Sequence, residues 1–278
     1  DSRQALSEAA QFLRESDIKV YSEDIERLIL AVLRAETVIR PGALAPNIVK
    51  LLLLDPRFLK IRKEFSEGSK NSSLFSQLRA LGQKELLNKL MRLTPLPSIE
   101  IEEFLVNFRK ACLLHSSNIE AFKGNNEFLV SLALQADVNE YIYPQTRDEQ
   151  DLVASLTLKV SDALHSGQQP ETSVILLLSC YLPLHKLNPI EKLISTDQTE
   201  ELLTRQVHNR KREIELREVI PSHGVIVDET SNLVRQQYEE NPFPRWIHTK
   251  VEYPNNSFSE YFMTCLLYTS DAADDVRG

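Results

Sequence analysis

Few residues in this 278-residue sequence are spaced for chemistry. The histidines, His115, His165, His185, His208, His223 and His248, never stand four apart and never form HExxH. The pairing that puts two imidazoles on one helical face for zinc is therefore missing. The three cysteines, Cys112, Cys180 and Cys265, lie far apart without a CxxC. No base or cationic neighbourhood accompanies Cys112, which reads as a small core residue rather than a nucleophile. Seven glycines are scattered singly, so no glycine-rich loop can cradle a phosphate or dinucleotide, and no GxSxG elbow presents a serine. Carboxylates are plentiful but fall mostly on helix faces, where solvation is their ordinary role. The sequence thus offers no catalytic, cofactor-binding or metal-ligating set.

Two clusters remain. In Gln135 to Tyr143, polar Asn139 and Glu140 end an apolar helix beside Tyr141 and Tyr143. Asn139 and Glu140 fit the needs of a helix terminus, with the tyrosine rings packed and their hydroxyls wet. The same four side chains would also suit a groove for a partner. The second cluster, Tyr238 to Trp246, holds the single tryptophan. Its prolines, Pro242 and Pro244, bias their predecessors away from helix and predict an extended segment. Aromatic anchors on a proline-stiffened segment lose little entropy on binding. Arg235, Tyr238, Asn241, Phe243, Arg245 and Trp246 accordingly read as a docking set between domains, or as one wall of a binding pocket.

The elements that must position these residues are helical. Scarce glycine disfavours hairpins, and the 3.6-residue period dominates as far as Ser222. Ser22 caps a helix whose Ile25, Leu28, Ile29 and Val32 share a face, with Glu23 and Asp24 in the first turn. A helix pair spans Pro46 to Phe65, broken at Asp55-Pro56. Gly82 to Leu93 is amphipathic and stops at Thr94-Pro95. Ser98 caps a helix aligning Ile101, Leu105, Phe108 and Cys112. A long apolar stretch runs from Asn118 to Tyr143. Thr146 to Glu149 is a capping box ahead of Leu152, Leu156, Val160 and Ala163, with Gly167 closing that helix. Val174 to Leu182 is apolar nearly all round and predicts a centrally buried helix. Thr196 to Val219 carries interleaved charges, a solvated face supported by i,i+4 pairs. After Gly224 come a short apolar step, a helix over 229–240 and a linker. The prediction is an all-α fold: an irregular multi-helix domain over 1–224, an interdomain helix and extended proline-containing linker over 225–264, and a tail over 265–278.

Bulk composition limits the partners. The formal net charge is −8, which disfavours nucleic acid, whose phosphates need a cationic surface. No apolar run approaches a membrane span. No signal peptide is read from the sequence and the cysteines show no disulfide pattern, so a reducing, cytoplasmic setting is expected. The tail stands apart. Cys265 to Asp275 resembles, residue for residue, one reading frame of a transposon-end sequencing adapter, and is set aside as non-native. The start at Asp1 rather than methionine suggests a beginning internal to a longer protein.

The string VRQQYEENPFPRW, Val234 to Trp246, closely resembles a segment of bacterial tetratricopeptide-associated class I S-adenosylmethionine-dependent methyltransferases. In that family a VRxQYEENPYPRW string lies between a helical region and a Rossmann-like catalytic domain; Phe243 stands where tyrosine is usual. Leu132 to Tyr143 and Tyr181 to His185 also look like the family's helical region. The family's cofactor loop, an acidic residue followed by x-Gly-x-Gly, lies downstream of NPYPRW, so the resemblance assigns no cofactor-binding or catalytic residue here. It implies a helical accessory region whose partners are its own catalytic domain and a protein or small-molecule methyl acceptor. S-adenosylmethionine is the cofactor expected for the longer protein. A helical scaffold without an enzyme is the alternative. On either reading 241–264 is expected to be poorly packed when the docking partner is missing.

Overall fold

The computed structural model describes residues 2–35, 39–67, 71–221 and 228–240. They belong to the unit Asp1–Ile247, and the second unit, His248–Gly278, lies wholly outside them. Every regular element among the described residues is helical. In chain order these are α1 (Ser2–Glu15), α2 (Glu23–Arg34), α3 (Pro41–Leu54), α4 (Pro56–Ser66), α5 (Asn71–Gly82), α6 (Glu85–Leu93) and α7 (Ile99–Leu114). They continue as α8 (Asn126–Val138), α9 (Arg147–His165), α10 (Thr172–Ser179), α11 (Glu200–Leu203), α12 (Asn209–Val219) and α13 (Glu229–Glu240). The predicted extended linker and the tail fall outside the described residues.

The caps read from the sequence are formed. Ser22 and Ser98 accept the backbone N–H of Ile25 and Ile101, three residues on. Each satisfies one of the donors a helix start leaves open, worth about 1 kcal/mol. The capping box at Thr146 is complete: Glu149 accepts both the backbone N–H and the hydroxyl of Thr146 at 2.8 Å. Asp55 ends α3 and starts α4, its carboxylate accepting the Arg57 N–H at 2.9 Å.

Several boundaries differ from the sequence reading. α3 begins at Pro41 rather than Pro46, because a proline at the first helical position sacrifices only an N–H that has no partner there. Pro46 is carried inside and forfeits one bond, to the Gly42 carbonyl. Gly82 ends α5 instead of opening α6. The apolar stretch from Asn118 is two elements, a 3-10 turn at Ile119–Phe122 and then α8, parted by Gly124 at φ 76°. On α2 the buried face is Ile29, Leu30, Val32 and Leu33, so Leu28 turns outward.

α8 is the axis of the domain. Every side chain from Phe128 to Val138 is buried, because α5, α6, α10 and α11 surround it. Such a helix shows no amphipathic stripe. α10 is similarly enclosed, from Ile175 to Ser179. α1, α2 and α3 pack together and reach the centre through α6, while α7 lies against α9. Phenylalanines stitch the layers edge to face; Phe108 of α7 meets Phe128 of α8 at 5.5 Å and 88°.

Gly167 closes α9 in the left-handed region at φ 77°, with Gln168 N bonded to Ala163 O at 2.8 Å and Gly167 N to Leu164 O at 3.2 Å. This double bond pattern needs a residue without Cβ strain at that position. Gly167→Ala should cost about 1 kcal/mol in urea unfolding, leaving the helical circular dichroism intact; an unchanged midpoint would contradict the assignment.

Candidate functional site

Among the described residues the largest fully buried side chain is Arg109, 1% exposed, in the apolar stripe of α7 between Leu105 and Cys112. Its Nη2 donates to Pro144 O at 2.9 Å and its Nη1 to Cys180 O at 3.2 Å. The guanidinium lies over the Tyr181 ring at 4.1 Å and near the Tyr143 ring at 5.6 Å. Cation–π contact is strongest where, as here, water is excluded. Tyr181 OH donates to Glu149 at 2.9 Å, and Tyr143 OH to Glu102 at 3.3 Å. Asn139 Nδ2 donates to Tyr143 OH at 2.8 Å. One arginine thus ties α7, the 139–146 loop, the start of α9 and the end of α10.

The carboxylates on its two sides differ. Burial raises Glu102 above the usual glutamate value, outweighing the bonds from Tyr143 and Asn139. Burial is also the largest influence on Glu149, pulling it upward. The Thr146 N–H and hydroxyl, the Tyr181 hydroxyl and the Arg109 charge together exceed it, and Glu149 is lowered. Burial pushes both tyrosine hydroxyls well above their ordinary value, holding them neutral as donors.

Asn139, Glu140, Tyr141 and Tyr143 are brought together here, but as loop structure. Asn139 and Tyr143 are buried and bonded to each other, and Glu140 and Tyr141 turn the chain at φ 51° and 57°. Neither cleft described below includes any of the four. Cys112 and Cys180 are buried thiols; burial raises Cys112 well above its normal value and Cys180 to about 12, away from nucleophilic use. Among the described residues no group of histidine, cysteine or carboxylate side chains could hold a metal, and no helix is long and apolar enough to cross a membrane.

A second arrangement lies where the charged helix leaves the body. α11 runs through a π-helical turn, Thr204–His208, into α12. Such a turn re-aims a helix and frees backbone groups for outside partners. Gln206 points inward, its Oε1 accepting Leu184 N at 3.1 Å and its carbonyl accepting His185 Nδ1 at 3.1 Å. Arg205 Nη1 donates to Arg92 O at 2.7 Å, closing the last turn of α6. Arg92 in turn bridges Glu201 at 2.8 Å and Glu127 at 2.5 Å beside a cleft of about 290 Å3. Beyond the turn α12 buries nothing. Its Arg210–Glu213 and Arg212–Glu215 pairs stand three residues apart, where the sequence had suggested four. On α13, Leu233, Val234 and Tyr238 are exposed, Tyr238 by 63%, as is Arg235. Asn241, Phe243, Arg245 and Trp246 lie outside the described residues.

The third feature is a cleft of about 620 Å3 between α2, α4, α5 and the start of α6. Leu30, Ile61, Gln77 and Lys84 are the buried members of its lining, and the remainder carries charges of both signs. Lys84 is paired with Asp55, and the two are only 6% and 1% exposed.

No family model matches this chain, and no curated protein or solved structure shows significant similarity to it.

The sequence reading assigns no role to Arg109 or to the Asp55–Lys84 pair. It places Arg205 among the solvated charges of one helix over Thr196–Val219, a run that is instead α11, the π turn and α12, with Arg205 bonded to Arg92 O. Arg109 had a readable signal, a cation four residues after Leu105 and three before Cys112 on a stripe that is otherwise apolar. Arg205 falls three residues after Leu202, on the buried side, but the run of charges around it hid that position.

Removing the Arg109 charge leaves the Pro144 and Cys180 carbonyls without this donor and takes from Glu149 one of the influences that lower it. Arg109→Met is expected to destabilise by about 3–5 kcal/mol in chemical unfolding, and a loss below about 1 kcal/mol would refute the role given to it. Glu149, lowered in the folded state, contributes stability above the unfolded value near pH 4.3 that disappears as pH falls through the folded value. Glu149→Gln should therefore be less stable near neutrality and show a shallower acid-side fall in urea midpoint. Glu102 has the opposite sign, since acidification relieves its burial penalty. Parallel pH profiles for wild type and Glu149→Gln would refute the assignment.

Proposed function

We propose that this chain provides the helical accessory region of an S-adenosylmethionine-dependent methyltransferase. On this reading α12, α13 and the NPFPRW segment form the joint to a catalytic domain, and the helical body positions a methyl acceptor or protein partner beside it. The observation that carries the proposal is the exposure of the arm's apolar side chains. α12 has no buried residue, and the exposed side chains of α13 include Leu233, Val234 and Tyr238 at the start of VRQQYEENPFPRW. A 12-residue helix whose described side chains are nearly all exposed has little stability of its own in water. Such a helix is suited to acquiring its packing from a neighbouring domain. The resemblance of the string names that neighbour as a methyltransferase domain and S-adenosylmethionine as its cofactor.

The methyl-transfer chemistry would belong to that domain. The two buried cysteines lack thiolate character, and the carboxylates around Arg109 are engaged in structure. The body's contribution would be orientation of the acceptor, which can supply several kcal/mol of a reaction barrier through proximity alone.

Two measurements test the proposal. Genomic sequence following the codon for Thr264 should encode a strand followed by Asp or Glu-x-Gly-x-Gly; a stop codon or unrelated sequence would instead favour a non-enzymatic helical scaffold. Calorimetry of this chain with S-adenosylmethionine should show no saturable binding, and clear binding would overturn the placement of the cofactor site outside the helical body.

A further inference from the structure

We draw no further inference here: the strongest candidate, the cleft of about 620 Å3 between α2, α4, α5 and the start of α6, carries nothing, because each charged side chain in its lining is already in an ion pair and nothing in the structure shows what would fill it.

Discussion

A guanidinium that is 1% exposed must find its partners where it stands, and the arrangement of half this domain follows from that demand on Arg109. Moving such a charge out of water costs several kcal/mol even after the protein relaxes. The compensation comes from the carbonyls of Pro144 and Cys180, two tyrosine rings and the field of Glu149. Each compensating group fixes a segment. Holding Pro144 sets the chain two residues before Thr146, and hence the direction in which α9 starts. Glu149 completes the Thr146 box and accepts Tyr181, which secures the end of α10. The turn through Glu140 and Tyr141, both at positive φ, is the backbone route that lets Asn139 and Tyr143 close the other side. Non-glycine residues hold that conformation only when their surroundings determine it.

Much of the fold was legible from local chemistry. Ser22, Ser98, Thr146 and Asp55 are short polar side chains ahead of apolar periodicity, and each caps a helix by bonding within three residues. Local bonds depend on local sequence. What the sequence hid depends on distant neighbours. Leu28 fits the α2 stripe but faces out, because the face that α2 buries carries Ile29, Leu30, Val32 and Leu33 instead. Pro46 looked like a helix start, yet Pro41 fills the same role earlier and the packing of Leu44, Ile48 and Leu51 carries the helix through. The candidate sites divide in the same way. Asn139 and Tyr143 were visible as an odd polar pair, while their function as one flank of Arg109 required knowledge of where α7 lies. The Asp55–Lys84 pair joins residues 29 apart and leaves no local trace.

The π turn at Thr204–His208 converts a charged helix into an arm. Without it, the face carrying Leu202, Leu203 and Gln206 would continue into α12 and seek burial there. With it, Arg205 and Gln206 are spent on Arg92 and Leu184, and α12 leaves with paired charges and nothing to bury. The buried body ends within the π turn, where Val207 still packs on the core, and α12 beyond it has no buried residue. That separation is what the proposed accessory role would draw on. A rigid core, anchored at one turn to an exposed helix bearing Leu233, Val234 and Tyr238, can hold a neighbouring domain in register without contributing to its chemistry.

Residue-level amide hydrogen exchange across this chain tests that separation most directly. The account predicts slow exchange through α8 and α10, approaching the global unfolding limit, with protection ending sharply after the π turn and near-unprotected amides in α12 and α13. If the proposed methyltransferase domain is joined to it, α13 should become protected. Protection of α12 and α13 comparable to α8 in this chain alone would contradict the account, since these helices would then already have the packing that the proposal reserves for a catalytic partner.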